Sequence, residues 1–325
     1  MTPTERTPVS HDVVLVGGGH CHVQVMTAFA MRPVPGMRLT LVTDRLVTPY
    51  SGMLPGHLAG HYSRAEMHID LARLARATGT RLIFAAATGL DRAAKSVLFA
   101  DRPPLPYDTL SLNIGITPDL STIEGAERHG VAVKPISSFL ARFDALLHAA
   151  RRADGPRRFL IVGGGAAGVE IACSLRSRLN REAGGWGTDP TVYTVGLVSG
   201  APLVPTLNSG VRKRVQASLK RLAVEATIGF RVARVDETGV FAADGRFLPA
   251  DAVLFSTAAR APSWLSETGL PLAADGSVKT RLTLQALDDD AVFAVGDCAV
   301  VAEDPRDKAG VFAVRQGSAL VENLR

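Results

Sequence analysis

The sequence predicts an α/β fold of two three-layer units, one inserted in the other. Three observations carry that expectation. The short apolar runs Val13-Val14-Leu15-Val16 and Phe159-Leu160-Ile161-Val162 read as buried parallel strands. Each passes directly into glycines, Gly17-Gly18-Gly19 and Gly163-Gly164-Gly165, and each glycine run opens a helical pattern. At 325 residues, 46% of them hydrophobic, the chain has room for two such units with their own cores. Aromatic residues are only 6%, so Val, Leu and Ala must fill most of the interior.

The elements follow in order. A strand at Asp12–Val16 feeds the first glycine loop, a helix runs from about His20 to Ala30, and a second strand spans Arg38–Val42. Thr48–Gly56, rich in Pro and Gly, reads as a loop. Asp70–Thr78 reads as a helix, and Val97–Phe99 and Thr109–Asn113 as strands. The pattern changes between Pro118 and Lys134, and a helix covers roughly Ser137–Arg152. The second strand–loop–helix unit begins at Arg158, with Val192–Val198 as its next strand and Val211–Leu222 as a basic amphipathic helix. Strands at Val253–Ser256 and Ala291–Val295 precede a closing helix at Gly310–Leu324. The expected boundaries are a first domain at 1–118, an inserted second domain at 119–262 and a return to the first at 263–325. The polar residues 1–10 are expected to be frayed.

The glycine loops have a physical reading. A glycine-rich turn at a helix N-terminus offers backbone N–H groups to a pyrophosphate: one glycine makes the turn, a second lets phosphate approach, and a third lets the helix pack close. Gly163, Gly165 and Gly168 satisfy all three slots, with Ala166 and Ala167 between them. The first loop supplies Gly17 and Gly19 but puts His22 in the third slot, which predicts a slightly displaced helix or His22 turned into a polar contact. Both units therefore read as Rossmann-like. An acidic residue at the end of the second strand grips a ribose diol in such units. Asp44 stands in that place in the first unit, with Thr43 as the alternative. In the second, the strand ends in Ser199-Gly200 with no carboxylate, so preference for NAD over NADP is not encoded by the usual device. Arg212, Lys213 and Arg214 could reach a 2′-phosphate, although a solvated helix face explains them as well.

The two loops, the segment Tyr107–Gly115, Ser256–Pro262 and Val292-Phe-Ala-Val-Gly-Asp297-Cys-Ala together resemble the pyridine nucleotide-disulfide oxidoreductase superfamily of two-dinucleotide flavoproteins. Within it the chain is most similar to type-II NADH dehydrogenases and sulfide:quinone oxidoreductases. Gly17–His22 with Thr48–Gly56 resembles more specifically the NADH dehydrogenase-like proteins associated with or fused to selenide, water dikinase.

The resemblance implies FAD on the first domain, at Gly17, Gly19, His20, His22, Asp44, Pro49, Met53, Leu54, Gly115, Gly296, Asp297 and Gly310. Asp297 would bond the ribityl or pyrophosphate region, and the helix beginning near Ala309-Gly310 would aim its positive end at the flavin. It implies NADH or NADPH at Gly163, Gly165, Ala166, Ala167, Gly168, Glu170, Ser199, Thr257 and Ala258. Glu170, near the nicotinamide, is the one side chain with a catalytic expectation. The implied activity is that of an NAD(P)H:acceptor oxidoreductase: hydride passes from nicotinamide to flavin N5, and electrons then pass to a quinone or another small-molecule acceptor. The alternative is an FAD-binding redox-sensing or delivery module that partners selenophosphate synthase. A ferredoxin- or rubredoxin-type reductase is a third option. A homodimer is compatible with the family.

Departures from the pattern discriminate too. Disulfide reductases of the superfamily need a Cys-x-x-x-x-Cys pair; here Cys21, Cys173 and Cys298 are far apart. Single-thiol relatives carry a cysteine before Leu-Pro where this chain has Gly52. All three cysteines are expected to be structural, Cys173 and Cys298 buried. Val311 and Arg315 occupy slots where type-II NADH dehydrogenases carry glutamines on the quinone path. The resemblance implies a further C-terminal interface portion past the position of Arg325, beyond the end of this sequence.

Composition narrows the remaining classes. The net charge of +5 comes from scattered Arg and Lys without a basic stripe interleaved with aromatics, so nucleic acid is not an expected partner. No run of 18 apolar residues suggests a transmembrane helix, and there is no Cys-x-x-Cys and no secretory leader. The expected location is cytoplasmic, with peripheral attachment to the inner face of the membrane as an option. His20-Cys21-His22 points in different directions from a helix start and lacks a distant ligand pair, so no metal site is expected.

Overall fold

The structure is a computed structural model, and it describes residues 8–257, 259–306, 308 and 310–325, the side chain of Pro118 excepted. Ten elements organise it: β1 (His11–Val16), α1 (His20–Met31), β2 (Met37–Thr43), β3 (Thr109–Leu112), β4 (Arg158–Val162), α2 (Ala166–Glu182), β5 (Thr194–Ser199), β6 (Ala252–Phe255), β7 (Asp289–Ala294) and α3 (Gly310–Asn323). The chain divides into two compact units. One runs to Tyr50 and resumes at His68–Ile116 and Arg260–Arg325; the other comprises Ser51–Met67 and Thr117–Ala259. The segment 51–67, which sequence reading assigns to the first domain, clusters with the second unit.

The first unit is built on an eight-stranded sheet. Its parallel part runs β7, β3, β1, β2, then Arg81–Phe84. β1 is buried along Val13–Val16, which explains its continuous apolar run. One face is covered by α1, α3 and the helix Leu71–Thr78, with Val13, Leu15, Val25, Met26, Leu41, Leu71 and Leu320 in a single cluster. Asp70 caps the last of these helices by accepting the N–H of Arg73 at 2.8 Å.

The second unit repeats the plan with a five-stranded parallel sheet in the order Gly130–Ala132, β6, β4, β5, Val224–Ile228. α2 and the helix Ile136–Ala150 pack one face, around Phe139, Phe143, Ile161, Leu175 and Leu197. A small antiparallel sheet, Val232–Asp236, Gly239–Ala242 and Phe247–Pro249, contributes to the core on the other, around Leu160, Val198, Val240 and Phe255.

Three local expectations change. Thr48–Gly56 is not a plain loop: it holds the strand Val47–Pro49, a 3-10 turn at Ser51–Met53 and the start of a helix at Leu54–Leu58. Pro55 lies in that helix's first turn, where the missing N–H costs nothing. Residues 190–192 form a 3-10 turn, so the strand starts at Thr194 rather than Val192. Cys173 is only partly buried, because its stretch of α2 faces the edge of the core.

Candidate functional site

The glycine loops sit where each strand order reverses. β1 has β2 on one side and β3 on the other; β4 has β5 and β6. At such a switch point two connections leave in opposite directions and a crevice opens beyond the carboxyl ends of the strands. The loops are anchored alike: the Gly17 N–H donates to Val42 O at 2.8 Å, and the Gly163 N–H to Val198 O at 2.9 Å. Gly17 has φ +96 and Gly163 φ +126, backbone that L side chains rarely adopt. A Cβ would also collide with the neighbouring strand's exit, at 2.3 Å from Asn113 O for Gly17 and 2.3 Å from Ser256 O for Gly163.

Each helix behind a loop starts without a side-chain cap, at Gly19 for α1 and Gly165 for α2. Their first N–H groups therefore face outward with the positive end of the helix dipole. Gly165 has open space where a Cβ would project. Beside each loop lies a buried polar atom with no hydrogen-bond partner among the described residues: Asn113 Nδ2 in the first unit and Thr257 Oγ1 in the second. Such atoms cost about 1–3 kcal/mol when left unmade, so each marks a place for an oxygen-rich ligand. The residues present fit a pyrophosphate at both loops.

The third slot differs between the units. A Cβ on Gly168 would lie 1.8 Å from Gly163 O, so close packing of α2 demands glycine. In the first unit His22 reaches the equivalent carbonyl with its ring: Nδ1 is 2.6 Å from Gly17 O and Nε2 is 2.8 Å from Ser111 Oγ on β3. The polar contact expected of His22 is present. The ring is completely buried, and burial pushes its pKa down to about 4.

Asn113 is the hub of the first unit, and sequence reading did not single it out. Cβ atoms on Gly19 and Gly296 would meet its side chain at 2.4 and 2.7 Å. Gly296 (φ +68) donates its N–H to Gln316 Oε1 on α3 at 2.8 Å, tying Asp297 to that helix. Gly296, Asp297, Lys308, Phe312 and Gln316 line one side of a cavity of about 220 Å³. Lys308 donates to Ser277 Oγ at 2.8 Å and to Ala299 O at 2.6 Å. Gly310 opens α3, whereas Ala309 lies outside the described residues. His20 stacks on Tyr50 with ring centroids 4.1 Å apart, and burial lowers its pKa.

The other candidates are dispersed. Asp44 follows the end of β2, 61% exposed and 4.0 Å from Arg45. Pro49 pairs with His68 across a short ladder of the first unit. Met53 packs partly buried against the second unit's core, and Leu54 is buried within it. Gly115 has φ +72 with open space around it. In the second unit Ser199 ends β5, its Oγ 2.4 Å from where a Cβ on Gly164 would stand. Ala166 and Ala167 are exposed in the first turn of α2. Glu170 follows one turn on, exposed, with its carboxyl held above the usual range by partial desolvation. Ala258 lies outside the described residues.

The thiols are poor nucleophiles. Cys21 is fully buried and donates to Ala313 O at 2.8 Å; burial first, then the nearby Cys298, pushes its pKa up to about 12. Cys298 is fully buried and also raised. Among the described residues no group of three His, Cys, Asp or Glu could hold a metal, and no helix is long and apolar enough to cross a membrane.

The comparisons agree with this geometry. A curated relative, the NADH dehydrogenase-like protein YutJ of Bacillus subtilis, is 23% identical over 96% of this chain and 82% of its own length. The probable ferredoxin reductase CtmF of Castellaniella defragrans is 27% identical over 88% of this chain and 67% of its own. Among solved structures, the sulfide:quinone oxidoreductase of Aquifex aeolicus superposes with a TM-score of 0.81 at 18% identity, covering 97% of this chain and 76% of that one. The reduced CoADR-RHD of Bacillus anthracis gives 0.80 at 20% identity, and this chain spans 97% of itself but only 57% of that structure. At such identities the solved structures establish the fold alone. No relative named here carries a selenide, water dikinase pairing, so that narrower resemblance is without support. The pyridine nucleotide-disulphide oxidoreductase model matches residues 11–318. With both loops at switch points of a doubly built α/β chain, the chain belongs to the pyridine nucleotide-disulphide oxidoreductase family, and its enzyme class is that of the FAD-dependent NAD(P)H oxidoreductases.

Proposed function

We propose that this chain oxidises NADH or NADPH with FAD held on the first unit, and passes the electrons to a quinone or another external acceptor, without a redox-active disulfide. The observation that supports it most is the matched pair of switch-point loops, each with an uncapped helix start and an orphaned buried polar atom, Asn113 Nδ2 and Thr257 Oγ1. FAD, when bound, supplies a carrier that takes a hydride and releases electrons singly or in pairs.

The chain's own residues bind and align. The N–H groups at the start of α1 and the Asn113 amide hold the FAD pyrophosphate, and Asp44 takes a ribose diol. Asp297 and the start of α3 hold the remaining length of the flavin nucleotide. Gly163, Gly165 and Gly168 shape the second loop so that α2 receives the pyrophosphate of NAD(P)H, with Ala166, Ala167, Ser199 and Thr257 around it. Glu170 belongs to the nicotinamide side. Alignment of two bound dinucleotides is the largest contribution a protein makes to such a transfer. A quinone acceptor goes with a cytoplasmic protein peripheral to the membrane's inner face.

The test is anaerobic titration of the FAD-loaded protein with NADH and NADPH. Either nucleotide should bleach the flavin band near about 450 nm within minutes. FAD that neither nucleotide reduces sinks the proposal. A panel of quinones, ferricyanide and protein acceptors then identifies the second half-reaction. The similarity to a ferredoxin reductase favours one second reading, a protein acceptor, which strong salt dependence of electron transfer would single out.

A further inference from the structure

We infer that the nicotinamide nucleotide of this chain is NADPH, and that Arg231, which no glycine motif points to, reads its 2′-phosphate. The inference rests on the reading that the second glycine loop holds NAD(P)H.

The rim beyond β5 is where a Rossmann unit discriminates the two nucleotides, because the adenosine ribose lies against the end of that strand. A carboxylate there accepts hydrogen bonds from the 2′- and 3′-hydroxyls and repels a phosphate. This chain has no Asp or Glu anywhere from Ser199 to Val224. In place of the acid stands Ser199, whose Oγ lies 2.4 Å from the Cβ position of Gly164 and therefore against the glycine loop itself. Ser199 Oγ accepts the N–H of Ala201 at 3.3 Å, which leaves its O–H to donate.

Arg231 is brought to this rim by the sheet. Val224–Ile228 pairs in parallel with β5, its last residue opposite Ser199. The chain beyond it is then pinned, because the Phe230 N–H donates to Ser199 O at 3.0 Å. The next residue, Arg231, covers Gly200: a Cβ on Gly200 would stand 3.4 Å from Arg231 Cβ and 3.8 Å from its Nε. The backbone at Arg231 is thus held at the strand end, which keeps the side chain's first atoms over Gly200. Arg231 is exposed, with no ion-pair or hydrogen-bond partner among the described residues. Its neighbour Arg246 is committed elsewhere, 2.7 Å from Asp244 Oδ2 and 2.7 Å from Gly229 O.

A phosphate monoester carries close to two negative charges and three acceptor oxygens, and a guanidinium offers a fork of donors that matches it. A serine hydroxyl and an unengaged arginine suit that group and offer nothing acidic to a bare ribose diol. The loss of one charge-assisted contact of this kind corresponds to roughly ten- to hundredfold in affinity.

The test is calorimetric binding of 2′,5′-ADP and of 5′-AMP, which differ only in the 2′-phosphate, to the FAD-loaded full chain. The wild type should bind 2′,5′-ADP roughly ten- to hundredfold more tightly than 5′-AMP. Arg231→Gln should erase that difference and leave 5′-AMP affinity unchanged, and Arg231→Lys should restore part of it. The triple substitution Arg212→Gln, Lys213→Gln, Arg214→Gln should keep it. Equal affinities in the wild type, or a preference that survives Arg231→Gln or vanishes in the triple variant, overturn the inference. The two readings fail separately. If neither NADH nor NADPH reduces the flavin and neither adenosine nucleotide binds, the proposed function falls with the inference; if NADH reduces the flavin and the 2′-phosphate adds no affinity, only the inference falls.

Discussion

Gly168→Ala is the smallest perturbation that tests how the second loop works. The added methyl would lie 1.8 Å from Gly163 O and 3.0 Å from Gly163 C, and both of those atoms are backbone. Ordinary contact is about 3.4 Å or more, so the loop and the first turn of α2 must part by more than about an ångström. No side chain can rotate away to relieve it, since Gly163 itself is fixed by its N–H to Val198 O and by the Ser256 carbonyl beneath it. Overpacking of this kind costs about 1–3 kcal/mol. The functional cost is of comparable size, because the uncapped N–H groups of α2 are aimed by that contact. A misplacement of about 1 Å in an alignment-driven transfer corresponds to about a hundredfold in rate. The assay is stopped-flow reduction of the bound FAD by NADPH and NADH, with nucleotide affinity measured in parallel. FAD content should match the wild type, because the first loop is a separate structure. Wild-type affinity together with a wild-type reduction rate in Gly168→Ala would falsify the view that this contact aims the helix.

Three further outcomes are expected. Asn113→Leu removes the side-chain amide that Gly19 and Gly296 face and should lower FAD retention at least about tenfold by equilibrium dialysis, as loss of a buried hydrogen bond to a charged group implies; unchanged retention means Nδ2 has no ligand. His22 titrates at about 4 when folded and near 6.5 when unfolded, so the unfolded chain binds the extra proton between those values and His22-linked stability, complete above about pH 6.5, is lost as pH falls towards 4. The gap corresponds to about 3 kcal/mol, and denaturant titrations of wild type and His22→Gln should converge in stability by about that amount across this range; curves that stay parallel refute it. Thiol titration of the native protein should modify Cys173, slowly because desolvation raises its pKa, and leave Cys21 and Cys298 protected until unfolding, and Cys173→Ser should still undergo flavin reduction by nucleotide; a native count of three reactive thiols contradicts the burial.

The parts of the fold that were legible are those whose sequence signal and burial coincide. β1 and β4 are buried along most of their length, so they appear as unbroken apolar runs, and the glycines that follow need positive φ. Strands at the sheet edge gave no such signal. Arg81–Phe84 and Val224–Ile228 each bury few of their residues, and neither alternates cleanly. The Pro- and Gly-rich stretch from Thr48 to Gly56 read as a loop because composition is blind to position: a proline that would break a helix interior is harmless in its first turn. At the site, the glycines were legible because their roles are local. Asn113 and Arg231 were not, because they matter only through pairing: β1 with β3 brings Asn113 under Gly17, and β5 with Val224–Ile228 brings Arg231 over Gly200.

The third glycine slot shows why a motif with one letter changed is not a degraded motif. Both units place something against the carbonyl of the first loop glycine. In the second it is the helix backbone, at a distance that only glycine permits. In the first it is an imidazole, which bonds that carbonyl with one nitrogen and Ser111 of β3 with the other. The backbone contact is indifferent to pH and intolerant of any side chain. The imidazole contact spans loop and sheet, so it fixes α1 relative to β3 through two directed bonds where α2 relies on close packing. Its condition is that the ring stay neutral: a second proton would turn the acceptor nitrogen into a donor inside a completely buried site. A His22→Gly substitution, which restores the ordinary motif on paper, therefore removes both bonds and leaves a cavity of ring size. It should lower stability by several kcal/mol, of the order seen when a large buried side chain is deleted, and weaken FAD binding along with it. If His22→Gly instead unfolds at wild-type denaturant concentrations with FAD retained, the helix needs no brace there and the imidazole is incidental.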